Sequence, residues 1–77
     1  MLENAMEKIL QNLGEGWDIL KVKEDDENYY VFTTIIEHQM LGPIYQVVKS
    51  SGNINFLPMP DPDSFALINS AVEITWT

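Results

Sequence analysis

Tyr29-Tyr30-Val31-Phe32-Thr33-Thr34-Ile35-Ile36 is an eight-residue run of aromatic and β-branched side chains, without a charge, a glycine or a proline. Such side chains crowd a helix and fit the pleated backbone of a strand. Apolar or β-branched groups fall on both faces of the run, so it predicts a strand at the centre of a sheet. Tyr29 and Tyr30 must then point to opposite faces, and at least one of them lies outside the main core.

Upstream, residues 17–23 predict a first strand, alternating either around Leu20 and Val22 or around Trp17 and Ile19. Residues 24–28 join the two strands as a turn, because Asp, Glu and Asn disfavour strands and bond readily to their own backbone. Downstream, Leu41-Gly42-Pro43 breaks the central strand. A third strand is expected over 44–49, a hairpin loop over 50–53 and a fourth strand over 54–57.

The first thirteen residues follow a different period. Leu2, Met6, Ile9, Leu10 and Leu13 recur at helical spacing, with Glu3, Glu7, Lys8, Gln11 and Asn12 off the stripe. Gly14 provides a left-handed stop. After the fourth strand, proline at 58, 60 and 62 predicts a stiff connector. Asp63 or Ser64 can then cap a short helical turn through Phe65, Leu67 and Ile68. Val72, Ile74 and Trp76 alternate with polar residues as a last strand. The expected fold is α+β and a single domain over residues 1–77: an N-terminal amphipathic helix on a curved antiparallel meander of about five strands, with a short helical turn before the last strand. One helix cannot cover both faces of such a sheet. The sheet must curl into a small barrel, or its second face must meet another molecule, with Val31, Phe32, Ile35 and Ile36 left partly uncovered and a homodimer as one result.

Composition narrows the function mainly by exclusion. The chain has 77 residues, 12 acidic side chains, 4 lysines, no arginine and a formal charge of −8. Without arginine there is no bidentate clamp for phosphate, and four scattered lysines make no basic stripe. Binding to nucleic acid directly, or to an anionic membrane, is not expected. No cysteine is present, which excludes disulfides and thiolate metal sites. The N-terminal residues mix charge into their apolar positions, unlike a signal peptide, and no apolar run approaches a membrane span, so the expected compartment is cytoplasmic.

His38 is the sole histidine. Adjacent strand residues face opposite ways, so Glu37 is badly placed to orient it, and Ser50, Ser51, Ser64 and Ser70 lie in no nucleophile elbow. No catalytic residue and no cofactor is therefore expected, and the chain reads as non-enzymatic. Glu24, Asp25, Asp26 and Glu27 lack the alternating spacing and turn glycine of a calcium loop, and no metal ligand set is assigned. The first 37 residues hold nine of the acids against three lysines. That concentration suggests docking on a partner protein with a basic surface. Glu24, Asp25, Asp26 and Glu27 would steer the encounter, with Tyr29 or Tyr30 as the anchor. Such a protein would be an inhibitor or regulator, and its carboxylates could imitate a nucleic-acid backbone, as in inhibitors of phage or mobile-element type. The alternative is a small-ligand-binding protein with a pocket between helix and sheet lined by Trp17, Tyr45 and Trp76.

Overall fold

The computed structural model describes residues 1–38, 40–58 and 61–75. Its elements are α1 (Leu2–Leu13), β1 (Trp17–Glu24), β2 (Asn28–Ile35), β3 (Met40–Val48), β4 (Ile54–Leu57), α2 (Pro62–Ser70) and β5 (Val72–Ile74). The strands form one antiparallel sheet in the order β4-β3-β2-β1-β5, with β2 central as its composition requires. β4 and β5 lie at opposite edges, so the sheet is open and does not close into a barrel.

α1 buries Ala5, Met6 and Ile9 against Ile19, Val22, Val31 and Val47 on one face. Ala5 is a core residue that the stripe of large side chains does not reveal. Gly14 ends the helix at φ 93°, a conformation that costs other residues strain. Ile19 and Val22 differ by an odd number of residues and would normally face opposite ways. They share a face because the register slips between Ile19 and Lys21, leaving Leu20 unpaired and half exposed as a bulge. Of the two alternations legible in residues 17–23, neither holds throughout: Ile19 and Val22, one from each, share the core face, and Leu20 is left out of it.

The second face belongs to α2, which carries the chain from β4 at one edge to β5 at the other. Its Ile68, with Ala71 just beyond, packs on Tyr30, Phe32, Ile44 and Leu57. The expected helical turn is thus a nine-residue helix capped by Asp61, not by Asp63 or Ser64, with Pro62 at its first position, where a missing N–H costs nothing. Pro62 and Asp63 thus belong to the helix and not to the expected connector, of which Met59 and Pro60 lie outside the described residues. Lys23 reaches over from β1 and donates to the Ile68 carbonyl at 3.3 Å, placing positive charge at a helix end that has no basic residue of its own. Val31 and Phe32 are buried within the chain, so the expectation of an uncovered sheet face fails there, whereas Ile35 is half-buried and Ile36 is exposed.

Leu41-Gly42-Pro43 does not end a strand. β3 runs straight through it, because Thr33 on β2 faces both Gly42 and Pro43 across a second bulge. A bulge is where a strand tolerates a proline. Thr33 is fully buried, and its hydroxyl donates to the Pro43 carbonyl at 2.7 Å.

Candidate functional site

The four consecutive carboxylates do not act as one group. Glu24, the last residue of β1, accepts an ion pair from Lys49 at 2.8 Å, and the same ammonium lies 4.8 Å from the Tyr29 ring centroid. Hydrogen bonding to Glu24, set against desolvation, lifts Lys49 above its ordinary 10.5. Asp25 turns inward: its Oδ1 accepts from the backbone N–H of Glu27 and of Asn28, and its Oδ2 accepts from the Tyr30 hydroxyl at 2.6 Å. This is the local turn that Asp favours, extended into the core by a phenol. Only Asp26 and Glu27 stand fully exposed at the tip.

Tyr30 is 0 % exposed. Its hydroxyl donates to Asp25 and accepts from Asn28 Nδ2 at 3.2 Å, so the ring is a core residue with one satisfied polar end. Tyr30 has no surface to offer a partner, and the expectation that it could serve as an exposed anchor is corrected. Tyr29, on the other face, is half-buried against the α1 core and under Lys49.

Burial pushes the Asp25 carboxyl up, but the Tyr30 hydroxyl, the two backbone N–H groups and Lys49 together outweigh it and hold it below the ordinary 3.8. Burial, reinforced by the Asp25 carboxylate, lifts Tyr30 above 10.0. A depressed carboxyl contributes stability that is present above pH 3.8 and lost as pH falls through its lower folded value. A raised phenol contributes stability that is present below pH 10.0 and lost as pH rises through its higher folded value. Asp25→Asn is expected to flatten the acid limb of a stability–pH profile and, because the Asp25 carboxylate also helps to raise Tyr30 and Lys49, to weaken their contributions to the alkaline limb. Urea unfolding followed from pH 2 to pH 7 reads that slope.

The expected ligand-pocket residues are not brought together. Tyr45 lines a small depression of about 200 Å³ with Lys8, Ile9, Asn12 and Ile54. Trp17 lines a separate, open one of about 470 Å³ with Leu41, Gly42, Pro43, Ile44, Phe56 and Leu57. Trp76 lies outside the described residues. Between helix and sheet the space is filled by Met6, Ile9 and the strand residues they touch.

His38 is exposed in the β2–β3 turn. Ser64 is buried and bonded to Asp61, while Ser70 donates to the Leu67 carbonyl. Among the described residues no three His, Asp or Glu side chains converge as a metal site. No described helix is long and apolar enough to cross a membrane.

No protein-family model, curated protein or solved structure matches this chain. What the molecule does must therefore be argued from its own surface. That surface has two distinct ends. At one end the β1–β2 turn and the β3–β4 turn are tied by a bond from the Lys49 N–H to the Glu27 carbonyl at 2.9 Å. At the other, the Gly14–Gly16 turn is tied to the β2–β3 turn by the Ile36 N–H on the Gly16 carbonyl, also 2.9 Å. The first end carries Asp26 and Glu27; the second carries Trp17, Met40 and Leu41. Sequence reasoning named Trp17 only as a pocket residue and did not join it to Met40 and Leu41, because Leu41-Gly42-Pro43 reads as a strand break.

Proposed function

We propose that this protein is a non-enzymatic binding module, an inhibitor or regulator, that docks on a basic surface of another protein in the cytoplasm. The observation that carries this reading is where the lysines go. Lys49 is held by Glu24 and lies over Tyr29, Lys23 bonds to the end of α2, and Lys21 sits 4.8 Å from the Phe32 ring centroid. The fold thus engages three of its four cations internally. Among the described residues Lys49–Glu24 is the only ion pair, and the other eleven carboxylates outnumber the other three lysines, so the surface projects a net negative field. Such a field raises encounter rates with a basic partner and repels acidic ones. A groove that otherwise holds a nucleic-acid backbone is one such basic surface.

The division within the run sets the roles. Asp26 and Glu27 are available to steer, Glu24 and Asp25 shape the turn that presents them, and Tyr29 is the aromatic nearest the tip with part of its surface open. The test is affinity capture at about 0.1 M salt, where exposed charges still act over roughly 10 Å. Wild-type protein is expected to retain a partner with a basic surface that the double variant Asp26→Asn/Glu27→Gln loses, with far-UV circular dichroism unchanged. Retention of the same partner by both would contradict the proposal.

A further inference from the structure

We propose that the notch at the end opposite the acidic tip is a second docking surface, one that takes a segment of a partner protein carrying apolar residues flanked by lysine or arginine. The notch is a consequence of unequal strands. β4 stops at Leu57 opposite Ile44, whereas β3 continues back to Met40, so residues 40–43 of β3 lie beside β2 on one side and have no described strand on the other. Leu41, Gly42, Pro43, Phe56 and Trp17 line the resulting depression. Leu41 is 62 % exposed and Phe56 is 60 % exposed. Met40 and Ile36, at the same end, are exposed to a similar degree. Apolar residues scattered singly over a surface need no explanation, but a contiguous group around a concavity marks an interaction site.

The floor is rigid. The Trp17 ring crosses from β1 onto the backbone of Gly42, where a Cβ would overlap it and would come 2.6 Å from Thr33 Oγ1. Thr33 is in turn fixed by its bond to Pro43. On the far side, the Phe56 ring is supported edge-on by Tyr45, with centroids 6.1 Å apart. A preorganised aromatic floor loses little entropy when a partner side chain settles on it.

Charge decides between occupants. Glu15 lies in the turn before Trp17 and Glu37 in the β2–β3 turn with His38, at the end where these two turns are tied together, and both are exposed. Lys21, Lys23 and Lys49 are engaged elsewhere, and Lys8 lies beside Ile9, Asn12, Tyr45 and Ile54. A second copy of this chain would bring the same two carboxylates and a further charge of −8 to this end, so self-association here is opposed. Nucleic acid and acidic peptides are opposed for the same reason. An apolar side chain on Trp17 with cationic neighbours near Glu15 and Glu37 satisfies both features, and a guanidinium can also lie over the indole.

The test uses two synthetic twelve-residue peptides of one apolar pattern, one of leucine and lysine and one of leucine and glutamate, titrated into ¹⁵N-labelled protein. The lysine peptide is expected to give saturable shifts at the Trp17 indole N–H and at the Leu41, Gly42 and Phe56 amides, and the glutamate peptide none. Leu41→Ser and Phe56→Ser change exposed side chains and should leave the spectrum folded. Each is expected to weaken binding about tenfold, while Asp26→Asn/Glu27→Gln changes it less than about threefold. Shifts confined to Asp26, Glu27 and their neighbours would overturn this surface while leaving the acidic tip in place. Unchanged affinity in both serine variants, or equal binding of the glutamate peptide, would overturn it as well. A wild-type dimer that Phe56→Ser dissociates would assign the notch to a second copy instead.

Discussion

Tyr30→Ala is expected to destabilise the protein by about 3–5 kcal/mol, the range for removing a large ring from a packed core. A 77-residue domain has roughly 4–12 kcal/mol in total, so this variant should be partly unfolded at 37 °C. The reason is position: Tyr30 is fully buried between Phe32, Ile44, Leu57 and α2. Asp25→Ala should follow at about 1–3 kcal/mol, because it takes the acceptor from the Tyr30 hydroxyl, which keeps only its bond from Asn28, and removes two backbone hydrogen bonds to a charged acceptor. Tyr30→Phe should cost about 1 kcal/mol, and adding Asp25→Ala to it should cost less than in the wild type, since the two side chains share one bond. Thermal melts of the four proteins check this. A near-neutral Asp25→Ala would mean that the inward carboxylate contributes nothing.

Gly42→Ala should cost about 2–3 kcal/mol, at the upper end for overpacking by a single methyl. The added methyl cannot coexist with the Trp17 ring in its place, and Thr33 Oγ1 at 2.6 Å blocks relaxation towards β2. The ring must leave, and Trp17 emission is expected to shift to the red relative to wild type. In a Trp17→Ala background the same change should cost about half as much, because the Thr33 contact remains. Equal costs in both backgrounds would show that the ring does not lie on Gly42.

The elements were legible where one period dominates. Residues 2–13 show a single stripe, and α1 occupies those residues. Residues 29–36 are β-branched and aromatic on both faces, and β2 is central with a helix on either side. Reading failed where the chain departs from a period. At Leu20 the sequence shows two competing alternations, because a bulge changes the phase and no residue type announces it. At Gly42-Pro43 the local signal for a break is correct as chemistry, yet Thr33 and the Trp17 ring on the facing strands recruit both residues into β3. That preference belongs to tertiary packing and is absent from the tripeptide.

The candidate site divides in the same way. The acidic run was visible as charge, but its partition was not, since Asp25 and Tyr30 are five residues apart and meet only when the hairpin closes. Tyr29 and Tyr30 are indistinguishable by type and differ by face. One carries part of its surface beside the tip, and the other lies beneath α2. The second helix was underestimated because a nine-residue segment of modest amphipathicity resembles a turn until its C-terminal carbonyl meets Lys23.

The most direct test of the docking account is stopped-flow association of the captured partner with wild type and with Asp26→Asn/Glu27→Gln across a salt series. The two carboxylates act before contact, so the account predicts an association rate roughly three- to tenfold slower in the variant at low salt, a flatter dependence on ionic strength and a nearly unchanged dissociation rate. Identical association rates and identical salt slopes would contradict it and leave Asp26 and Glu27 as charges that only keep the protein in solution.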